Sequence, residues 1–168
     1  MTLSATTLFS PAQIAGYLVL ILGVAAFLQK QEGRLKFLLS CECLVYTLHF
    51  FLLGNNTAAA SACISAGRTF LSLRFQSLGL GLAVVLLNVG LGALLATGPA
   101  SWIPVAGACV ATLGLFTLRG IPMRLALLFS TLCWLTNNLL SGSIGGVILE
   151  SSIAAANTVA IAGLLRKR

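Results

Sequence analysis

Apolar residues run along the chain in seven blocks, at 12–28, 35–53, 57–74, 78–96, 102–118, 123–140 and 145–165. Each is close to the roughly 20 residues that carry an α-helix across about 30 Å of hydrocarbon. The breaks suit this division. Gln29 to Arg34 is polar, Gly54-Asn55-Asn56 is a turn signal, Gly98-Pro99-Ala100-Ser101 interrupts a helix, and Pro122 and Ser141-Gly142-Ser143 mark the last two. The pattern predicts an all-α polytopic membrane protein with seven transmembrane helices. Residues 1–11 hold no Lys or Arg, so the first block lacks the basic n-region of a signal peptide and is expected to be the first span.

Composition strengthens the membrane reading. Of 168 residues, 10 are Lys or Arg and 3 are Asp or Glu, whereas a soluble domain of this length carries about 42 charges at the usual ~25%. With 58% hydrophobic residues and a mean hydropathy of +1.04, the chain lacks the polar surface a water-soluble globule needs. The net charge of +7 sits singly between apolar runs rather than in a basic stripe, which argues against a nucleic-acid partner. Seven spans put Lys30, Arg34, Lys36, Arg74, Arg119, Arg124, Arg166, Lys167 and Arg168 on one side. The positive-inside rule then predicts an outside N-terminus and a cytoplasmic C-terminus. Cys41, Cys43, Cys63, Cys109 and Cys133 lie within apolar stretches with no Cys-x-x-Cys spacing. They read as buried thiols, without a disulfide framework or a metal site.

Residues 34–74 laid over 124–165 show weak internal similarity at offsets between 88 and 90. Arg34-Leu35 falls on Arg124-Leu125, Ser40 on Ser130, Cys43 on Cys133, and Arg68-Thr69 on Asn157-Thr158; Leu22-Gly23 can be set against Leu113-Gly114. The expected organisation is a first three-helix bundle at 1–74, a linker helix with flanking turns at 75–101, and a second bundle with a basic tail at 102–168. Three crossings plus one leave the two bundles in parallel orientation, a plan used by transporters with a site near the midplane between repeats. The fourth block fits a linker, with Asn88 and glycines 79, 81, 90 and 92 allowing close packing.

His49-Phe50-Phe51-Leu52-Leu53-Gly54, Arg68-Thr69, Cys133-Trp134 and Gly142-Ser143-Ile144-Gly145-Gly146 resemble the YgjV family of bacterial inner-membrane proteins, from about Gly16 to Arg168. These motifs by themselves explain no chemistry. The 3+1+3 plan is similar to that of PQ-loop and SWEET-like transporters. That resemblance implies facing asparagines on the third helix of each bundle, at positions held here by Arg68 and Asn157, so only Asn157 keeps the residue type. The Pro-Gln pair of those proteins is replaced by Leu28-Gln29 and Leu118-Arg119, a departure that puts sugar specificity and a proline hinge in doubt.

Ionisable and amide side chains inside a bilayer are costly and are functional candidates by default. Glu42 and Arg68 lie roughly 10 Å and 9 Å from the cytoplasmic ends of their spans. They either pair with each other, or Arg68 faces a cavity and binds an anionic or polyhydroxylated solute, or it snorkels to the interface. His49, Asn137, Asn138 and Glu150 are expected to form an outer polar layer. Glu42, Tyr46 and His49 share one helix face, as do Glu150 and Asn157. His49 reads as a packing residue or a proton relay, Asn137 and Asn138 as interhelical ties or solute contacts, and Trp134 as packing or a stacking platform. Arg68, Asn157, His49, Asn137, Asn138, Trp134 and Glu42 are therefore the candidate substrate-binding set.

No ATPase motif, His-Glu-x-x-His or nucleophile with a base is present, so no enzyme activity and no cofactor are expected. The sequence points to a facilitator for a small polar solute working by alternating access, with a non-transporting membrane receptor or assembly subunit as the alternative. Its expected partners are the lipid bilayer and that solute, and a homo-oligomer stays open.

Overall fold

The computed structural model describes residues 8–29, 31–72, 74–75 and 77–166, without the side chains of Phe27, Glu32 and Leu35. Residues 1–7 and the boundary cations Lys30, Lys167 and Arg168 lie outside the described residues. Seven α-helices follow one another, with no strand among the described residues: α1 (Pro11–Phe27), α2 (Glu32–Leu52), α3 (Asn56–Leu71), α4 (Leu78–Leu95), α5 (Trp102–Thr117), α6 (Gly120–Ser141) and α7 (Ile144–Leu165). A short 3-10 turn, Pro99–Ser101, leads into α5.

Local chemistry sets these limits. Ser10 caps α1 through the Gln13 amide with Pro11 at the first helical position, Asn55 caps α3 through the Ala58 amide, and Ser143 caps α7 through the Gly146 amide. Gly142 closes α6 in the left-handed region at φ 70°, where a Cβ would be strained. Pro122, expected to mark a break, instead lies within α6, which begins at Gly120. A proline in the first turn removes no hydrogen bond, so it does not end the helix.

Packing follows a closed circuit. α1 packs on α2, α2 on α3, α3 on α5, α5 on α6, α6 on α7, and α7 back on α1, while α4 lies outside against α3 and α5. Asn88 of α4 is met by the Ser61 hydroxyl of α3 at 2.8 Å, and Thr57 donates to the Leu95 carbonyl at 3.2 Å. The polarity of the molecule is inverted relative to a soluble protein. Glu42, His49, Asn88, Asn137, Asn138 and Glu150 are buried, whereas Leu94 is 81% exposed and Ile21, Leu86, Leu140 and Val159 are also exposed. Such an apolar exterior needs lipid against it.

Among the described residues, Leu78–Leu95, Pro99–Thr117 and Ile144–Leu165 are long and apolar enough to cross a membrane by length and composition alone, and Pro11–Ala26 is a shorter apolar helix. Much of the polarity of α2, α3 and α6 is turned inward: Ser40, Glu42, His49, Ser61, Ser65, Ser130, Asn137 and Asn138 are all buried. Short connections make sequential helices antiparallel neighbours. One end of the ring therefore carries Arg34, Lys36, Arg74, Arg119, Arg124 and Arg166, and is called the basic end below.

Candidate functional site

The ring encloses a cavity of about 490 Å³, lined from α2, α3, α5, α6 and α7. Lys36, Ser72 and Arg124 border its mouth at the basic end, while Tyr46, Ala62, Trp134 and Glu150 lie toward its far end. Lys36 and Tyr46 are ten residues apart on α2, so the cavity runs roughly 15 Å along that helix. The mouth is tied by Lys36 Nζ donating to the Ser72 carbonyl at 3.2 Å and by Asn157 Nδ2 donating to the Arg124 carbonyl at 3.0 Å. Glu42, Arg68, Trp134 and Asn157 of the candidate set all line this space.

Arg68 does not meet Glu42. Its Nη1 donates to the Thr112 hydroxyl at 3.1 Å and to the Ala108 carbonyl at 3.5 Å, both on α5, and Nε has no partner. Thr112 in turn donates to the same Ala108 carbonyl at 2.7 Å. Depth along the membrane allowed the Glu42–Arg68 pairing, but α3 packs on α5 as well as α2, and the guanidinium takes the α5 side. Glu150, expected in an outer layer with His49, instead lines the cavity.

His49, Asn137 and Asn138 do not line this cavity, although Asn137 lines a smaller pocket of about 300 Å³ near the opposite end with Asn55 and Ser141. They join the polar seal that closes the ring at the end opposite the basic one. His49 is 0% exposed. Its Nδ1 lies 2.6 Å from the Ala12 carbonyl, which can only accept, so Nδ1 carries a proton. Nε2 lies 2.7 Å from the Ser143 hydroxyl. Gln13 reaches across from α1, with Nε2 donating to the Gly142 carbonyl at 2.6 Å and Oε1 accepting from the Ile144 amide at 3.1 Å. Asn55 Nδ2 donates to Asn137 Oδ1 at 2.9 Å and to Ser141 Oγ at 3.0 Å, and Asn138 Nδ2 donates to the Tyr46 hydroxyl at 3.2 Å. Below this layer, Tyr46 and Phe50 stack at 5.0 Å and 2°, and Trp134 lies 5.8 Å from Phe50. The aromatics separate the seal from the cavity.

Glycines bring the backbones together at the seal. A Cβ on Gly145 would collide with the Gly16 carbonyl, and one on Gly16 would come within 2.9 Å of the His49 ring. α1 and α7 thus cross in backbone contact.

A six-helix ring with a seventh helix packed on its outside, apolar on the exterior and polar within, has the organisation of an integral membrane protein. The family model for Imp-YgjV, a bacterial inner membrane protein, matches residues 10–168. The chain belongs to the YgjV family. It is 38% identical over 146 residues to the inner membrane protein YgjV of Escherichia coli (strain K12), covering 87% of this chain and 80% of that one. No solved structure matches it. As a YgjV-family member it is a multi-pass protein of the bacterial inner membrane.

Several residues of the site escaped the sequence reading. Gln13 sits in an apolar first turn beside a proline, and Asn55 reads as a turn residue, although each bridges the two ends of the chain. Thr112 looked like one hydroxyl among many. The available signal was Gln13 itself, an amide near the start of a membrane span, which calls for a partner.

Proposed function

We propose that this YgjV-family protein is a facilitator for a small polar solute, working by alternating access. The observation that carries the reading is an axial cavity that opens at the basic end and is separated from a smaller pocket at the other end by hydrogen bonds joining the first and last thirds of the chain. Loss of the basic excess from the sealed end favours an orientation with the open end in the cytoplasm.

The packing supports two equivalent bundles joined by α4. Exchanging α1, α2 and α3 with α5, α6 and α7 maps the contacts α1–α2, α2–α3 and α3–α5 onto α5–α6, α6–α7 and α7–α1. The seal has the same reciprocity: the cap of α3, Asn55, bonds to α6, and the cap of α7, Ser143, bonds to α2. Rocking of such halves about the ring axis would break the seal and close the mouth. Two buried seal atoms, Asn137 Nδ2 and Asn138 Oδ1, have no partner, so opening the seal to water would satisfy them.

The test is protein-dependent equilibration of labelled small polar solutes in proteoliposomes. At least one solute should move. Arg68→Ala should slow its uptake about tenfold or more, because one guanidinium crosses from α3 to α5 beside the cavity. If no member of a broad solute panel moves, the facilitator reading fails and a receptor or assembly role takes its place.

A further inference from the structure

The cavity described above holds two carboxylates that the fold leaves without a counter-charge. Glu42 on α2 and Glu150 on α7 are each 7% exposed, and both line the cavity. Among the described residues, the one hydrogen-bond contact to Glu42 is the Cys43 thiol at 4.0 Å, a weak donor, and none reaches the Glu150 carboxylate. Buried carboxylates are ordinarily paired or hydrogen-bonded, and in a membrane interior an unpaired one is costly. Arg68, the cation at similar depth, is held by Thr112 and Ala108. The Glu150 oxygens have no partner and yet are not among the fully buried unpaired atoms, so they are open to the cavity that Glu150 lines; Glu42 Oε2 has only the Cys43 thiol.

Their surroundings fit an organic cation. Tyr46 and Trp134 line the same cavity, with ring centroids 6.1 Å apart, and aromatic faces attract ammonium groups through their quadrupoles. A bare divalent ion fits less well: among the described residues no three His, Cys, Asp or Glu side chains come together as a metal site, and such ions take six or more oxygen ligands. The volume lies within the 300–1,000 Å³ that holds small organic ligands. Lys36 and Arg124 border the mouth, so basic side chains stand at the entrance and acidic ones deeper in.

The geometry points to an ammonium-bearing solute, its cationic group held between Glu42 and Glu150 against Tyr46 and Trp134 and its polar or anionic end toward Lys36 and Arg124. This rests on the reading of the axial cavity as the solute site, and it reverses the polarity that Arg68 alone suggested. Neither carboxylate is a catalytic group; each would bind the ligand directly.

The test uses the full-length protein in nanodiscs. Of its two tryptophans, Trp102 is replaced by phenylalanine, which leaves Trp134 as the reporter. Butylammonium, butanol and butyrate, equal in size and different in charge, are titrated against Trp134 fluorescence. Butylammonium should give a saturable change, with butanol and butyrate at least about tenfold weaker, since a ligand without the cationic group leaves the carboxylates unpaired. Glu150→Gln, which keeps the shape and removes the charge, should weaken butylammonium by about tenfold or more, and Glu150→Asp should restore part of that loss. Equal binding of butanol and butylammonium, or unchanged binding in Glu150→Gln, overturns the proposal. Carboxylates that only share a proton with each other would give that result. A proteoliposome arm separates the two readings. Butylammonium that binds while neither it nor any other member of the solute panel crosses leaves the ammonium site standing and removes the facilitator. A neutral solute that crosses while butylammonium stays inert does the reverse.

Discussion

Gly145→Ala will destabilise the protein, whereas Gly163→Ala on the same helix will not. The two substitutions add the same methyl group to α7 in different surroundings. At Gly145 the new Cβ runs into the backbone of Gly16 and Tyr17, and at Gly163 nothing lies within 4 Å. Backbone cannot swing aside as a flexible side chain can, so α1 and α7 must separate. Their separation also strains the Gln13 bridge to Gly142 and Ile144. Overpacking of a close contact costs about 1–3 kcal/mol. Small residues are what allow membrane helices to approach this closely. At Gly163, removing an interior helix glycine gains roughly 0.5–1 kcal/mol. The apparent midpoint of thermal unfolding in detergent should therefore fall for Gly145→Ala and hold or rise for Gly163→Ala. Equal shifts for the two variants would show that the α1–α7 crossing is not a close backbone contact.

Most of the helical order was legible because hydrophobic length and breakers act locally. The seven apolar blocks match the seven helices to within a few residues, and the shift at Pro122 comes from first-turn tolerance of proline. Position around the ring was not legible. Counting residues gives depth along the membrane normal but not the direction in which a side chain turns. Glu42 and Arg68 share a depth, yet Arg68 turns to Thr112. Glu150 was grouped with His49 by its distance from a helix end, yet it faces the cavity while His49 is enclosed by Ala12 and Ser143. The inward stripe of Glu42, Tyr46 and His49 was readable from spacing, and all three are buried. Its division into cavity and seal was not, because that depends on where α1 and α7 cross. Gln13 and Asn55 act between segments more than 80 residues apart, a separation that no local pattern encodes.

Gln13→Met should shift the protein toward an opening at the sealed end. Methionine keeps the length and volume of glutamine and leaves the α1 cap intact, because Ser10 caps through the backbone amide of residue 13. It removes both hydrogen bonds across the seal and strands the Gly142 carbonyl and the Ile144 amide. In the sealed state these groups have no replacement partner, whereas in the open state water reaches them. The loss therefore falls on the sealed state alone. Two hydrogen bonds at about 1 kcal/mol each amount to about 2 kcal/mol, or about a 30-fold change in the ratio of open to sealed forms. Cys43 offers a native reporter, since it lines the cavity. With Cys41, Cys63, Cys109 and Cys133 replaced by serine, a membrane-impermeant maleimide should reach Cys43 readily in inverted vesicles and slowly in spheroplasts. Gln13→Met should raise the spheroplast rate by about that factor and lower the inverted-vesicle rate, because in the proposed alternating-access cycle a cavity that opens at one end closes at the other. His49→Leu, which removes the bond to Ser143, should act in the same direction. Labelling that rises from both sides at once would mean that the ring has merely loosened, and that its two ends are not coupled.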